Sequence, residues 1–172
     1  MPYIELDAID LKILGALQTD GRLTNNELAD QVGLSASPCL RRVRRLEREG
    51  FIRGYRAVID REAVGLGLTV FIEIKVDKHS RANADALAAT LASMPEVVGC
   101  HMVSGAADFM AEVTVPSLKA YEAFLKDKLL PLPMLGDVRS NFALSRVKSD
   151  APVALGHLKR DAAAVRHDPD CD

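Results

Sequence analysis

Apolar residues along positions 6–49 recur at the three-and-four spacing of three successive helices. Ile9, Ile13, Leu14 and Leu17 make one apolar stripe on a helix from about Leu6 to Gln18. Asp7 is placed to cap its start, and Gly21 follows its end. Leu28, Ala29 and Val32 stripe a second helix over 25–32, opened by Thr24 and Glu27 in capping-box spacing and closed by Gly33. After the turn Gly33-Leu34-Ser35, a third helix runs from its N-cap Ser35 to Glu49, with Pro38 tolerated in the first turn and Gly50 as the stop. At about 100° per residue, Cys39, Val43 and Leu46 share one side of this helix. Ser37, Arg41, Arg44 and Arg48 share the other. Residues 51–60 then read as extended chain with a turn at Gly54, a candidate wing. Gly65 and Gly67 mark a connector.

The period changes to two at Leu68. Leu68, Val70, Ile72, Ile74 and Val76 face one way, and Thr69, Glu73 and Lys75 the other, with Phe71 as the apolar exception. A strand over 68–77 is followed by a helix over 81–94, with Ala84, Leu87, Ala88 and Leu91 inward and Pro95 at its end. Two strands, 97–103 and 108–115, flank the turn Ser104-Gly105-Ala106-Ala107. A helix over 117–130 stops at Pro131 and Pro133, and a last strand spans 138–148. The order βαββαβ predicts a ferredoxin-like domain with two helices on one sheet face. The fold class is therefore α+β, a winged helix-turn-helix followed by a ferredoxin-like domain. The free sheet face, carrying Phe71, suits an oligomer interface. The expected boundaries are 1–60 for the helix-turn-helix, 61–67 for the connector, 68–150 for the second domain and 151–172 for a flexible tail with a short helix over 158–165.

A chain of 172 residues accommodates two small domains, and 48% hydrophobic with 27% charged residues suits a folded, soluble protein. No apolar run approaches the roughly 18–20 residues of a membrane span. The opening residues lack a basic segment followed by an apolar one. A cytoplasmic, nucleoid-associated location without a membrane partner is the expectation. Three scattered cysteines do not suggest a disulfide framework, and the four histidines show no metal-ligand spacing, so neither metal nor cofactor is expected. The net charge of −2 hides a local excess: residues 35–56 hold seven arginines and two acids. Because charge is screened within about 8–10 Å, this local patch outweighs the total.

A helix that enters the major groove must offer polar side chains to base edges and cations to phosphates. Ser35, Ser37, Pro38 and Arg41 lie at the N-terminal end of the third helix, where base contacts fall. Arg44, Arg45 and Arg48 lie further along, placed for phosphates, and Arg53 and Arg56 extend the cation row into the wing. The plainer alternative is a solvated basic face. Arg42 lies beside the apolar stripe and is left out of the DNA set. The chain contains no glycine-rich phosphate loop, no Gly-x-Ser-x-Gly elbow and no zinc signature. Cys100 and His101 are adjacent on a strand and point to opposite faces, which argues against a nucleophile pair. An enzyme is not expected.

The residues Leu6-Asp7, Asp10, Ile13-Leu14, Leu17 to Arg22 and Asn26-Glu27-Leu28-Ala29, then Val32 to Ser35, Pro38 to Glu47 and Gly50-Phe51-Ile52, resemble the leucine-responsive/asparagine-regulator (Lrp/AsnC) family. In the second half, Cys100 to Gly105 with Asp108-Phe109, Tyr121, and Phe142 to Lys148 fit the same family, the leucine-responsive branch most closely. The resemblance spans about residues 4–150. It implies a transcription regulator that binds double-stranded DNA as a dimer, dimers that gather into octamers, and a small effector, commonly an amino acid, held between dimers. By position, the turn Gly105-Ala106-Ala107-Asp108 would offer backbone N–H groups to an α-carboxylate, with Asp108 facing an α-ammonium. Met102, Ser104 and Leu118 would shape the pocket, and Ser140 and Phe142 match positions linked to the effector. Ala106-Ala107 stand where relatives often carry polar or aromatic residues. That departure keeps open an alternative, an architectural DNA-binding protein that needs no effector. A second alternative is an enzyme or metabolite carrier on the ferredoxin-like fold.

Overall fold

The computed structural model describes residues 6–77, 80–148 and 151–158. The chain forms two compact units, one drawn from residues 1–58 and 148–172, the other from 59–147.

The first unit contains α1 (Ala8–Thr19), α2 (Asn25–Val32) and α3 (Ala36–Arg48). Each of the first two begins with a reciprocal cap. The Asp7 carboxylate accepts the Ile9 and Asp10 N–H groups, and the Asp7 N–H donates back to Asp10 Oδ2 at 3.1 Å. Thr24 and Glu27 make the same box at α2, where Glu27 Oε2 accepts the Thr24 N–H at 2.8 Å. These boxes satisfy orphan N–H groups at helix starts, typically about 1 kcal/mol each. Gly33 ends α2 at φ 74°, in the left-handed region that glycine enters without a Cβ penalty. Ser35 occupies the N-cap position of α3 with extended backbone, but its side chain makes no capping bond, which differs from the expected hydroxyl cap. Ile13, Leu28, Ala29, Val32, Cys39 and Leu46 form the buried core of this unit.

Residues 51–60 belong to no helix or strand among the described residues, so the expected wing is an arm without ladder pairing. Two contacts hold its base. Ile52 N–H donates to Leu46 O at 3.2 Å, and the Tyr55 hydroxyl donates to Glu47 Oε1 at 3.1 Å. Within the same unit, Gln18 Oε1 accepts the Val153 N–H at 2.6 Å and Gln18 Nε2 donates to Val153 O at 3.4 Å, which fastens the post-sheet segment to the end of α1. Of the helix expected over 158–165, all but Leu158 lies outside the described residues.

The second unit contains β1 (Leu68–Val76), α4 (Arg81–Ser93), β2 (Val97–Met102), β3 (Phe109–Val115), α5 (Leu118–Phe124) and β4 (Leu135–Phe142). The strands form one antiparallel sheet in the order β2-β3-β1-β4, the split β-α-β arrangement read from the sequence. Val70, Ile72 and Ile74 of β1 and Phe109, Ala111 and Val113 of β3 are buried under Leu87, Leu91, Tyr121, Phe124 and Leu129. The opposite sheet face carries Phe71, Glu73, Met110, Glu112, Arg139 and Asn141. Arg61, from the connector, reaches this face and donates to Glu112 Oε1 at 2.6 Å and Thr114 Oγ1 at 2.9 Å.

Two elements differ from the sequence pattern. The last strand begins at Leu135 and stops at Phe142, instead of running 138–148. Its partner explains this: Phe142 pairs with Val70, Ala143 N–H donates to Thr69 O, and β1 has little left to offer Leu144, which is 99% exposed. The helix expected over 117–130 is α-helical to Phe124 and continues as a π-helical turn, Leu125–Leu129. Leu130 N–H closes it on Leu125 O, just before Pro131.

Candidate nucleic-acid interface and effector cleft

The face of α3 opposite Cys39 and Leu46 presents Ser35, Ser37, Leu40, Arg41, Arg44, Glu47 and Arg48 to solvent. Among the described residues no ion pair engages Arg41 or Arg44, and Arg48 meets only Glu49 at 3.7 Å with a side chain 73% exposed. Pro38 is half-buried at the base of the same face, and Arg53 and Arg56 are exposed on the arm. A row of exposed guanidinium groups on one helix can engage a phosphate backbone, and an arginine near the helix start can make a two-bond contact to a guanine edge.

Arg45 is arranged otherwise. Its guanidinium bonds Asp10 on α1 and approaches Glu49 at 3.7 Å. Arg42 Nη1 donates to Asp10 Oδ1 at 2.9 Å and to Asp7 Oδ2 at 2.6 Å. The structure therefore places Arg45 with Arg42 in an intramolecular cluster, whereas the sequence pattern had grouped it with Arg44 and Arg48. Burial raises the Asp7 carboxyl pKa, but the Asp10 N–H and the Arg42 guanidinium outweigh it and bring the group below the usual carboxylate range. Burial pushes the Cys39 thiol up, which suits a packing role. Leu40, which the sequence pattern did not single out, is a large apolar side chain exposed next to Arg41.

In the second unit, a cleft of about 300 Å³ is lined by Val76, Ser80, Arg81, Ala84, Met102, Val103, Asp108 and Phe109. Asp108 is built into its wall. Asp108 Oδ2 accepts the Val76 N–H at 2.9 Å, its N–H donates to Ile74 O at 2.9 Å, and its carbonyl accepts the Val103 N–H at 3.0 Å. These bonds tie the β2–β3 turn to the end of β1. Ser104, Gly105 (φ 120°) and Ala106 are exposed in that turn. Ala106 and Ala107 instead line a hollow of about 10 Å³ with Glu73, Lys75, Asp137 and Arg139, which holds no more than about one water.

Leu118, Ser140 and Phe142 are not among the cleft's lining residues. Ser140 Oγ lies 2.5 Å from the buried Tyr121 hydroxyl, and Phe142 sets its ring edge-on to Tyr121 at 5.5 Å. Leu118 is exposed at the start of α5. Phe142 pairs with Val70 while Asp108 binds Val76. Six residues of strand, roughly 20 Å, separate the partner of Phe142 from that of Asp108, more than one amino acid can bridge, whereas Ser140 pairs with Ile72, four residues from Val76. Ser80, Arg81 and Ala84 were not anticipated as cleft residues. The signal was available in the topology, since α4 starts just after the C-terminal end of β1 and Phe109, which ends the β2–β3 turn, pairs with Ile74 near that same end.

A helix-turn-helix with an exposed arginine row, carried on a chain with a ferredoxin-like sheet domain, defines a class of DNA-binding regulators. The family profile described as winged helix-turn-helix DNA-binding matches residues 6–53, and that described as the Lrp/AsnC ligand binding domain matches residues 69–153. The leucine-responsive regulatory protein of Rhizobium meliloti is 44% identical over 152 residues, covering 88% of this chain and 97% of that protein. The leucine-responsive regulatory protein of Escherichia coli K12 is 41% identical over 147 residues, covering 86% and 90%. Among solved structures, a transcriptional regulator from Neisseria meningitidis in complex with L-methionine superposes with a TM-score of 0.85 at 38% identity, covering 89% of this chain and 99% of that one. An AsnC family transcriptional regulator from Agrobacterium tumefaciens gives 0.84 at 36% identity, covering 88% and 99%. The chain belongs to the Lrp/AsnC family of DNA-binding transcriptional regulators. Among the described residues, no helix is long and apolar enough to cross a membrane.

Proposed function

We propose that this chain regulates transcription in the cytoplasm in response to an amino acid or a closely related metabolite, acting as an oligomer built from DNA-binding dimers. The observation that carries the DNA side is the exposed row of Ser37, Arg41, Arg44 and Arg48 on one face of α3. Arg41 reads a base edge, Arg44 and Arg48 engage phosphates, and Arg53 and Arg56 extend the contact along the backbone. Two such units in a dimer read half-sites one or more whole DNA turns apart.

The effector side rests on the cleft beside Asp108 and on the methionine complex of the Neisseria regulator. The exposed N–H groups of the Gly105 turn meet the effector's carboxylate, and Met102 and Val103 meet its side chain. Where Phe142 takes part, it comes from a second copy, because one chain holds it roughly 20 Å along the strand from Asp108. An effector bound between copies then acts on assembly, and the coupling is reciprocal: DNA changes effector affinity by the factor by which effector changes DNA affinity.

The test is a salt-dependent DNA-binding titration on the promoter upstream of the chain's own gene, with an unrelated duplex as the competitor, with and without L-methionine, L-leucine and the remaining amino acids. Wild type binds the promoter preferentially, Arg41→Ala relaxes preference at one base position by about 1–3 kcal/mol, and one amino acid shifts affinity. Absence of binding at low salt refutes the α3 interface. Binding that no amino acid alters favours the architectural, effector-independent reading.

A further inference from the structure

The five arginines of α3 fall into two sets, and a single carboxylate divides them. Asp10 sits in the first turn of α1 with a side chain only 1% exposed. Its Oδ1 accepts Arg42 Nη1, and its Oδ2 accepts both Arg45 Nη2 and the Asp7 N–H. We propose that Asp10 is a positioning residue for DNA recognition: it clamps Arg42 and Arg45, fixes the roll of α3 about its own axis, and leaves Arg41, Arg44 and Arg48 as the cations of that helix available to DNA. The proposal rests on the reading of α3 as the DNA-contacting helix.

A buried carboxylate is costly unless paired and hydrogen-bonded. Asp10 has both oxygens engaged, and its two guanidinium partners come from positions three apart on α3, about one helical turn. Attachment at one point leaves a helix free to roll. Attachment at two points along its length, through planar groups of fixed geometry, sets the roll. The clamped pair lies roughly 100° around the helix from the centre of the exposed row. A shift of that size brings Arg45 into the groove-facing row and moves Arg44 out of it. An apolar contact tolerates such sliding better than an ion cluster does, since drawing Asp10 away from its two arginines leaves a carboxylate 1% exposed without a counter-charge. Cys39 and Leu46 alone, one on each side of the clamp, do not define the angle as closely.

The experiment compares the salt dependence of DNA binding and the ratio of promoter to non-specific affinity for the full chain and for Arg44→Ala, Arg45→Ala and Asp10→Asn. The amide oxygen that Asp10→Asn introduces can still accept the Asp7 N–H, so this variant preserves the helix cap while removing the charge that holds the arginines. Arg44→Ala lowers the slope of log affinity against log salt by about 0.9, the signature of one lost phosphate contact. Arg45→Ala leaves that slope unchanged and lowers the promoter preference roughly tenfold, comparable to the loss of one base-pair contact. Asp10→Asn steepens the slope, because up to two cations become available to phosphates, and lowers the preference at least as much. Three results overturn the proposal. In the first, Arg45→Ala lowers the slope as Arg44→Ala does, which makes Arg45 a phosphate ligand. In the second, Arg45→Ala changes neither slope nor preference, which leaves Asp10 a purely structural acid. In the third, Arg44→Ala also leaves the slope unchanged, which refutes the α3 interface itself. The Arg45→Ala arm decides the matter even where Asp10→Asn lowers the folded fraction.

Discussion

Ser140 stands among the residues the family resemblance links to the effector, yet its hydroxyl is already engaged. Tyr121 is 3% exposed and its hydroxyl lies 2.5 Å from Ser140 Oγ, with Phe142 edge-on at 5.5 Å and Phe124 at 6.3 Å from its ring. Ser140→Ala removes the one polar partner of that hydroxyl among the described residues and leaves it beside aromatic rings. An orphaned buried hydroxyl costs about 1–3 kcal/mol. Tyr121→Phe removes the hydroxyl itself, and the half-buried Ser140 can turn toward water, so the loss is the net value of one bond, about 0.5–1.5 kcal/mol. Ser140→Ala is therefore the more damaging change by about 1 kcal/mol, and the double variant costs less than the sum by about the same amount. Urea unfolding followed by circular dichroism measures all three. With a slope of about 1–3 kcal/mol per molar urea, the difference displaces the midpoint by several tenths of a molar. A second readout is the tyrosine titration. Burial raises the Tyr121 pKa and the Ser140 bond draws it part of the way back, so Ser140→Ala moves it further up. Costs that add within about 0.3–0.5 kcal/mol, or a Tyr121→Phe variant less stable than Ser140→Ala, refute the reasoning.

Leu40 is 38% exposed beside Arg41, and an apolar side chain in the groove meets the thymine C5-methyl group. Replacing thymine by uracil at one half-site position should weaken wild type about fourfold, the value of one buried methyl group, and leave Leu40→Ala indifferent; equal losses in both proteins exclude the contact. Gly33 holds φ 74° with open space where a Cβ would lie, so Gly33→Ala meets backbone strain alone and costs about 1 kcal/mol in thermal unfolding, with Gly33→Asn milder. Tyr55 is pushed up to about 12, first by burial and then by the bond and charge of Glu47. Between the unfolded value near 10 and that folded value, the unfolded state loses its proton first, so stability falls as pH rises through this window. Phenolate absorbance should show a late-titrating tyrosine besides Tyr121, the one that moves toward 10 in Glu47→Gln; an unchanged titration would detach the arm from α3.

Local chemistry made much of the fold legible. The two capping boxes, the glycine after α2 and the strict alternation of β1 are near-neighbour patterns, and they place α1, α2 and β1 within a residue or two. The end of β4 was not readable in that way. Residues 143–148 hold no glycine or proline that would stop a strand, but a strand requires a partner, and β1 gives out at Leu68. The arm at 51–60 meets the same limit: extended propensity is local, and pairing is not. The effector residues were gathered by resemblance to relatives. In one chain the sheet register sets Asp108 and Phe142 at opposite ends of β1, a separation that no pattern along the sequence contains.

The arginines show where charge counting stops. A helical wheel separates Arg41, Arg44 and Arg48 from the buried side and places Arg45 on their flank, so residue type and spacing alone leave it in the DNA set. Its partner, Asp10, is 35 positions earlier and looks in the sequence like an acid in the first turn of α1, where an acid is favourable for its own sake. Only the packing of α1 on α3 reveals that one carboxylate serves both ends. The consequence is quantitative. Seven arginines over residues 35–56 suggest up to seven displaced counterions per chain, whereas removing Arg42 and Arg45 leaves five. The limiting salt slope then falls from about 6 to about 4.5 per chain, at 0.9 per phosphate. A measured slope clearly above the lower value would mean that Asp10 does not hold its arginines when DNA is bound.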